Sequence, residues 1–221
     1  VDIDTDGDID IMALHPYNSP YIIFLNDGKG NFSGIDEPNI TTELFSSIDW
    51  GDYDKDGKPD MLKTEYVNIN PGGYFVTEIY RNNTGTSFSK LEIPDLNNVW
   101  GSSSDWGDYD RDGDLDILFF APPMVYRNEG NDHFTHMKNI PFEETNNGMA
   151  EWIDYDNDGD LDIMLSGNAG GDDVSRLYKN VDTTFTDTEI EFTGLRSSFF
   201  AWGDYNNDSY LDLLITGQDR Y

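Results

Sequence analysis

Short apolar segments alternate with acidic, glycine-containing turns along the whole chain. Residues 161–165 are one such segment, and they directly follow an aspartate-rich turn. No long stretch carries apolar residues at helical spacing, so the pattern predicts short antiparallel strands. Strands of this kind must stack on neighbours to bury their apolar faces. The sequence therefore predicts an all-β protein.

An aspartate-rich motif recurs five times and makes the chain one array of repeats. The copies begin at residues 2, 52, 108, 154 and 204, with steps of 50, 56, 46 and 50 residues. We expect residues 1–221 to form a single region of five repeats, of which the first and the last are incomplete. Four copies are preceded at the same offset by a tryptophan that is predicted to pack between repeats: Trp50, Trp106, Trp152 and Trp202.

A second signature follows each of the first four motif copies and predicts a β-hairpin. It consists of an aromatic residue and an asparagine, then a turn and a phenylalanine, as in Tyr126, Asn128 and Phe134. Each period then holds four strands, with the acidic loop between the first and second strands, A and B. Four-stranded antiparallel units that stack in series predict a β-propeller. A β-solenoid is the alternative, although its rungs are usually shorter.

The spacing of oxygen-bearing side chains in the motif is typical of a calcium site. Side chains at positions 1, 3, 5 and 9, with the backbone carbonyl at position 7, supply the oxygen shell that Ca²⁺ prefers. Glycine at position 6 permits the left-handed turn that folds the loop around an ion. Without a cation, carboxylates packed this closely repel one another strongly. The predicted ligands are Asp2, Asp4, Asp6, Asp8 and Asp10; Asp52, Asp54, Asp56, Lys58 and Asp60; Asp108, Asp110, Asp112, Asp114 and Asp116; Asp154, Asp156, Asp158, Asp160 and Asp162; and Asp204, Asn206, Asp208, Tyr210 and Asp212.

The five loops are not predicted to bind equally. Lys58 at position 7 supports coordination through the carbonyl there, because a lysine side chain offers no carboxylate. In the fifth loop Asn206 replaces a charged ligand and Ser209 occupies the glycine position, so we expect four calcium sites and a weaker fifth. An EF-hand is excluded, because position 12 is never glutamate and strands follow the loops.

Composition and charge narrow the possible partners. The chain has 44 acidic and 13 basic residues, a net charge of −31, which argues against nucleic acid and acidic membrane surfaces. The motif itself contains 22 of the carboxylates, so much of the acidity is structural. The apolar runs are too short to cross a bilayer, and we expect no membrane insertion. The absence of cysteine excludes disulfides, thiol catalysis and cysteine-bound zinc.

The motif resembles the core of the FG-GAP and VCBS repeat family, most fully at residues 106–117. The resemblance covers all five periods, but the Phe-Gly and Gly-Ala-Pro signatures of the integrin α branch are missing, so the chain looks nearer to the Asp-rich bacterial branch. It implies a calcium-loaded propeller of seven or eight blades in a secreted or cell-surface protein. Because both ends of the sequence fall inside a blade, we expect a fragment of such a propeller. A complete five-bladed ring is the alternative.

The loops opposite the calcium loops are the predicted binding face. Their lengths differ, since the hairpin asparagine follows the motif start by 24, 30, 20 and 26 residues, and variable loops often carry binding residues. The candidate ligand-binding residues there are Tyr17, Tyr66, Tyr74, Trp100 and Arg196.

No catalytic triad, phosphate loop or zinc motif is present in the sequence. We therefore expect a binding or adhesion module that recognises a carbohydrate or a protein. The alternative is the propeller domain of a polysaccharide-degrading enzyme such as a lyase, since some lyases resemble this propeller. Three basic residues recur at one hairpin position and are interpreted as a solvated stripe: Arg81, Arg127 and Lys179.

Overall fold

The computed structural model describes residues 1–13, 20–41, 44–68, 72–96 and 103–219. The chain divides into two compact units, Val1–Ser102 and Ser103–Tyr221. Among the described residues the one helix is a short 3-10 turn, Pro94–Leu96, and no helix is long and apolar enough to cross a membrane. The prediction of an all-β protein is confirmed.

The first unit contains two antiparallel sheets. Sheet 1 has the strand order β1-β2-β3, and sheet 2 has the order β4-β5-β6-β7. The strands are β1 Ile11–Ala13, β2 Pro20–Asn26, β3 Phe32–Thr41, β4 Leu44–Gly51, β5 Asp60–Asn68, β6 Gly73–Asn82 and β7 Phe88–Lys90.

The second unit contains three antiparallel sheets. Sheet 3 has the order β8-β9-β10-β11, sheet 4 has the order β12-β13-β14-β15, and sheet 5 consists of β16 and β17. The predicted four-strand period is therefore seen in sheets 2, 3 and 4, while sheets 1 and 5 are incomplete among the described residues. The strands are β8 Ser103–Gly107, β9 Asp116–Phe120, β10 Met124–Asn128, β11 Phe134–His136, β12 Asn146–Ile153, β13 Asp162–Ala169, β14 Asp172–Val181, β15 Thr184–Asp187, β16 Arg196–Gly203 and β17 Asp212–Gln218.

The hairpin signature has the same strand register in all four sheets that contain it. Its aromatic residue lies opposite the residue that follows the acidic loop, and its asparagine lies opposite the phenylalanine. The prediction of a hairpin from this signature is therefore confirmed. The pairs are Ile11 with Phe24, Met61 with Tyr80, Ile117 with Tyr126 and Ile163 with Tyr178, and then Asn26 with Phe32, Asn82 with Phe88, Asn128 with Phe134 and Asn180 with Phe185.

The core of the second unit forms where sheet 4 packs on sheet 3. The Trp152 ring is stacked on the Tyr109 ring, with centroids 5.7 Å apart and planes 4° from parallel, and both contact Phe185. Leu118 and Phe120 of sheet 3 complete the cluster with Ile163 and Leu165 of sheet 4. Trp152 therefore packs between repeats, as its recurrence predicts.

The core of the first unit follows the same arrangement. Ile3, Ile23 and Ile40 of the first repeat are fully buried and pack with Met61 and Phe88 of sheet 2. Trp50 packs against this cluster, and its ring lies 6.0 Å from the Phe88 ring. Burial of these side chains is the main stabilising contribution, about 1.5–3 kcal/mol for each large residue.

A charged cluster lies within sheet 2, which the apolar pattern does not predict. The buried Lys63 ammonium lies 2.8 Å from the Glu65 carboxylate and 3.1 Å from the Glu78 carboxylate. The Lys90 ammonium and the Tyr80 hydroxyl also bond Glu78, at 2.7 and 2.8 Å. Such a cluster is tolerated in an interior because every charge has an opposite partner.

Candidate metal sites

The five motif copies fold into loops of one shape, here called loops 1 to 5 for residues 2–10, 52–60, 108–116, 154–162 and 204–212. Loops 2 to 5 each connect the first two strands of their sheet. In every loop the position-1 aspartate accepts a hydrogen bond from the backbone N–H at position 6, at 2.8–3.0 Å. The position-5 aspartate accepts one from the N–H at position 7.

Two positions in each loop adopt the left-handed backbone conformation. Position 6 is one of them, with φ between +87° and +100° at the four glycines and +72° at Ser209. Position 4 is the other, with φ between +58° and +60°, although none of its residues is glycine. Left-handed backbone costs a non-glycine residue free energy, so the loop conformation needs compensating interactions.

The position-9 aspartate ties its loop to two other backbone segments. Its Oδ2 accepts the N–H of position 2, and in sheets 1 to 4 its Oδ1 accepts the N–H of the hairpin asparagine. Asp60, Asp116 and Asp162 are fully buried, and Asp10 is nearly so. The Oδ2 distances are 2.7–3.2 Å in all five loops, and the Oδ1 distances are 2.7–2.8 Å.

Carboxylates come together in loops 1 to 4 in groups that could hold a metal ion. In each group one oxygen from each of three aspartates lies within 4.8 Å of the others. The groups in loops 2 to 4 join positions 1, 3 and 9, whereas the group in loop 1 joins positions 1, 3 and 5. Loop 5 contributes no such group among the described residues. The groups are Asp2, Asp4 and Asp6; Asp52, Asp54 and Asp60; Asp108, Asp110 and Asp116; and Asp154, Asp156 and Asp162.

Several carboxylate oxygens in these groups are suited to coordinate a metal ion, since no hydrogen bond from the described residues satisfies them. Oδ1 of Asp4, Asp108, Asp154 and Asp156 is buried and accepts no hydrogen bond from the described residues. A buried acceptor without a partner costs about 1–3 kcal/mol. These oxygens belong to hard carboxylate ligands of the kind that Ca²⁺ takes, so the donor set fits a calcium ion.

The position-9 carboxylates in loops 2 to 4 resist full ionisation in the absence of a cation. Burial raises the pKa of Asp116 to about 8, and the nearby Asp110 adds to the shift. Burial likewise raises the pKa of Asp60 and of Asp162 to about 6, with contributions from Asp54 and Asp156. A bound cation would favour the charged form of each carboxylate.

Two residues of the basic stripe reach into the loops. The Arg81 guanidinium lies 2.6 Å from the Asp54 carboxylate. The Lys179 ammonium bonds Asp156 and lies 3.1 Å from Asp158. The interpretation of these residues as a merely solvated stripe is therefore wrong for both, because each one offsets negative charge at predicted metal ligands. Arg127 differs, since it pairs with Glu129.

The hairpin asparagines of sheets 2 and 4 join consecutive acidic loops, a role beyond the hairpin turn predicted for them. The Asn180 amide donates to the Tyr109 carbonyl in loop 3 at 3.0 Å and to the Leu161 carbonyl in loop 4 at 3.1 Å. The Asn82 amide likewise donates to the carbonyls of Ile3 and Pro59, at 2.8 and 3.1 Å. The recurrence of this asparagine beside each loop is the signal for this role.

The position-4 side chains also connect consecutive loops in the second unit. Arg111 of loop 3 donates to the carbonyls of Gly159 and Asp158 at 2.9 and 3.1 Å, and it pairs with Asp160. Asn157 of loop 4 donates to the Ser209 carbonyl at 3.3 Å. These bonds compensate for the left-handed backbone at position 4 and connect loops 3, 4 and 5 in series.

The candidate ligand-binding residues have different surroundings. The Tyr66 ring packs edge-on against Phe75 at 5.1 Å and lies against Gly73, so it supports its hairpin. Tyr74 is about half exposed. The Arg196 guanidinium lies 3.9 Å from the Asp173 carboxylate. Tyr17 and Trp100 lie outside the described residues.

The fold and the loops together define the class of protein: an all-β chain of antiparallel repeats, each with a carboxylate-rich loop. The model of the FG-GAP-like repeat family matches residues 2–62 and 154–215, more than half of the chain. The chain therefore belongs to the FG-GAP-like repeat family, and the resemblance inferred from its motif is confirmed.

One solved structure with a similar fold is that of an Agrocybe aegerita lectin, described for its specific recognition of non-reducing terminal N-acetylglucosamine. The TM-score is 0.63 at 17% sequence identity, and the alignment covers 93% of this chain and 57% of the lectin chain. At this identity the likeness shows a β-propeller-like fold alone. The chain spans little more than half of that lectin's length. No curated protein matches the sequence.

Proposed function

We propose that this chain is a calcium-stabilised β-propeller module that binds carbohydrate outside the cell. The proposal of calcium binding rests on one observation: a group of three carboxylates recurs in four loops. In each loop, positions 1, 3, 5 and 9 would bind through side chains and position 7 through its carbonyl. Bound Ca²⁺ would offset part of the negative charge of the carboxylates and hold the loop against the hairpin. The fifth loop, without such a group, is the weakest site.

The five sheets are proposed to be blades of one propeller, with the calcium loop between strands A and B. The hydrogen bonds from Arg111 and Asn180 between loops 3 and 4 support this arrangement within the second unit. In the second unit, consecutive loops then lie on one face, and the turns between β9 and β10 and between β13 and β14 lie on the other.

The proposal of carbohydrate binding is supported by the lectin of similar fold and by a pocket beside Tyr74. This pocket, of about 340 Å³, is lined by Tyr74, Thr77, Glu78, Lys90 and Leu96 together with two neighbours in β6. The Thr77 hydroxyl is buried and has no hydrogen-bond partner among the described residues. A half-exposed aromatic ring next to hydroxyl, carboxylate and ammonium groups can stack on a sugar ring and bond its hydroxyls.

A glycan array with and without Ca²⁺ tests this proposal. The first probe is a glycan that ends in N-acetylglucosamine, since that is the sugar of the structurally similar lectin. We expect binding that EDTA removes, because the loops support the propeller. Failure to bind any glycan at millimolar Ca²⁺ would contradict the proposal. Release of unsaturated uronate products from a polysaccharide would favour the lyase alternative instead.

Two matched variants locate the site. Tyr74→Ala should weaken glycan binding about tenfold, equivalent to about 1.4 kcal/mol, and leave the melting temperature nearly unchanged. Phe32→Ala is the control, because Phe32 is equally exposed, at 47% against 48%, but begins the strand after a hairpin turn on the calcium-loop side. Equal loss of binding in both variants would contradict the assignment. Trp100→Ala and Tyr17→Ala test two further aromatic candidates in the same assay.

A further inference from the structure

Residues 147 and 148, near the start of β12, are the only asparagine followed by glycine in the sequence. They lie in a β-bulge, because the register of β12 against β13 shifts between Asn146 and Met149. A bulge leaves its extra residue out of the hydrogen-bonded ladder. Asn147 is exposed and has left-handed backbone, with φ of +54°. The pair therefore lies where the regular pairing of β12 is interrupted.

Packing against β13 requires the glycine of this pair. A Cβ at residue 148 would overlap the carbonyl oxygen of Ser166 and would lie 2.6 Å from the Cα of Gly167. Because glycine has no Cβ, no side chain at residue 148 shields its backbone nitrogen from the preceding side chain. The close contact with β13 thus retains the residue type that leaves the Gly148 nitrogen most accessible to Cγ of Asn147.

A hydroxyl group from the next sheet contacts the same asparagine. Ser197 of β16 donates from its Oγ to Oδ1 of Asn147 at 3.0 Å, and both side chains are exposed to solvent. A donor at this oxygen makes Cγ more electrophilic and stabilises the negative charge that develops on Oδ1 when a nucleophile adds to Cγ. The Asn147 amide therefore has a neighbouring nucleophile, an oxyanion donor and access to water.

We propose that Asn147 is a site of spontaneous deamidation in the folded protein. The Gly148 nitrogen loses its proton to solvent and forms a bond to Cγ of Asn147. The bond from Cγ to the side-chain nitrogen then breaks, and ammonia leaves with a proton from water. Water opens the resulting five-membered succinimide at either carbonyl. The products are aspartate at residue 147 and isoaspartate, in which the backbone runs through the former side chain.

Both products change the junction between β12 and β16. Each product replaces a neutral amide by a carboxylate and so adds one negative charge. Isoaspartate also lengthens the backbone by one atom beside Gly148, where contact with the Ser166 carbonyl leaves no room. We therefore expect the isoaspartate form to melt about 2–4 °C below the unmodified chain.

Peptide mass spectrometry of the folded chain, kept in warm, mildly alkaline buffer with millimolar Ca²⁺, tests the proposal. We expect residue 147 to convert to the acid and to take up heavy oxygen from labelled water. Asn131 is the internal control, because it is exposed with φ of +53° but precedes an aspartate, and it should stay an amide. Ser197→Ala should melt like the unmodified chain and slow the conversion about fivefold, the effect of one hydrogen bond on the barrier.

The same measurements identify the results that overturn the proposal. If Asn147 stays an amide in the folded chain while a peptide of residues 143–152 deamidates in the same buffer, the bulge protects the pair and the proposal is wrong. If Asn131 converts as fast as Asn147, the following glycine does not select the site. If Ser197→Ala converts at the rate of the unmodified chain, the hydroxyl takes no part in the reaction.

Discussion

Replacing Asn180 with alanine tests whether the hairpin asparagine joins consecutive loops. The side chain is 1% exposed, and its amide donates to the carbonyls of Tyr109 and Leu161 at 3.0 and 3.1 Å. Alanine removes both bonds and leaves two carbonyls without this donor. The backbone N–H that bonds Asp162 at 2.8 Å is retained, so the variant isolates the side chain.

The expected loss follows from these two bonds. An intramolecular hydrogen bond contributes about 1 kcal/mol net, and a buried acceptor left without a partner costs about 1–3 kcal/mol. We therefore expect Asn180→Ala to lower the free energy of unfolding by about 2–4 kcal/mol. For a domain of this size that is a fall of about 5–15 °C in melting temperature.

Urea unfolding followed by tryptophan fluorescence measures this loss, in Ca²⁺ and in EDTA. Asn26→Ala is the matched control, because Asn26 has the same place in sheet 1 but is only partly buried. Its two side-chain hydrogen bonds are exposed to solvent: the amide donates to the Ile9 carbonyl and Oδ1 accepts the Gly28 N–H, each at 3.1 Å. This variant should cost about half as much. A loss at Asn180 below about 1 kcal/mol, or no larger than that at Asn26, would refute the reasoning.

Two further predictions concern charge. Lys179→Met should lower the melting temperature in EDTA and increase the rise produced by Ca²⁺, since Lys179 bonds Asp156 and offsets charge at a predicted metal ligand. Arg127→Met should have a smaller effect, because Arg127 pairs directly with Glu129 and acts on Asp110 only through its charge. Burial alone would raise the pKa of Glu78, but Lys63, Lys90 and Tyr80 together hold it below its ordinary 4.5. Its contribution to stability is therefore present above pH 4.5 and lost as the pH falls through the lower folded pKa, so Glu78→Gln should cost about 3 kcal/mol at pH 7 and progressively less below pH 4.5, by urea unfolding in EDTA. A constant difference between the two proteins from pH 7 to pH 3 would contradict this.

The loops and the hairpins could be predicted from the sequence because both are local. The position-1 aspartate bonds the backbone five residues later, and Asn128 lies opposite Phe134 across a short turn. Spacing alone specifies such contacts. The packing of Trp152 between repeats could also be anticipated, since a tryptophan precedes four of the five motif copies at the same offset.

Contacts between repeats could not be derived in this way. Arg111 reaches Gly159 across 48 residues, and nothing in its own loop shows that the next loop is near. Position 4 of the loop carries Thr, Lys, Arg and Asn in turn. Because the residue type differs between repeats, the sequence does not show that these side chains connect neighbouring loops. Lys63 pairs with Glu78 because the two residues lie opposite each other on β5 and β6. This pairing belongs to one sheet, so a comparison of the repeats does not reveal it.

The central claim is that Ca²⁺ occupies the acidic loops. An anomalous difference map from crystals grown in millimolar CaCl₂ tests it directly. The account predicts peaks in loops 1 to 4, each within about 2.3–2.6 Å of carboxylate oxygens at positions 1 and 3, with the lowest occupancy or none in loop 5. A map without peaks in loops 1 to 4, or with loop 5 filled and loop 4 empty, would contradict it.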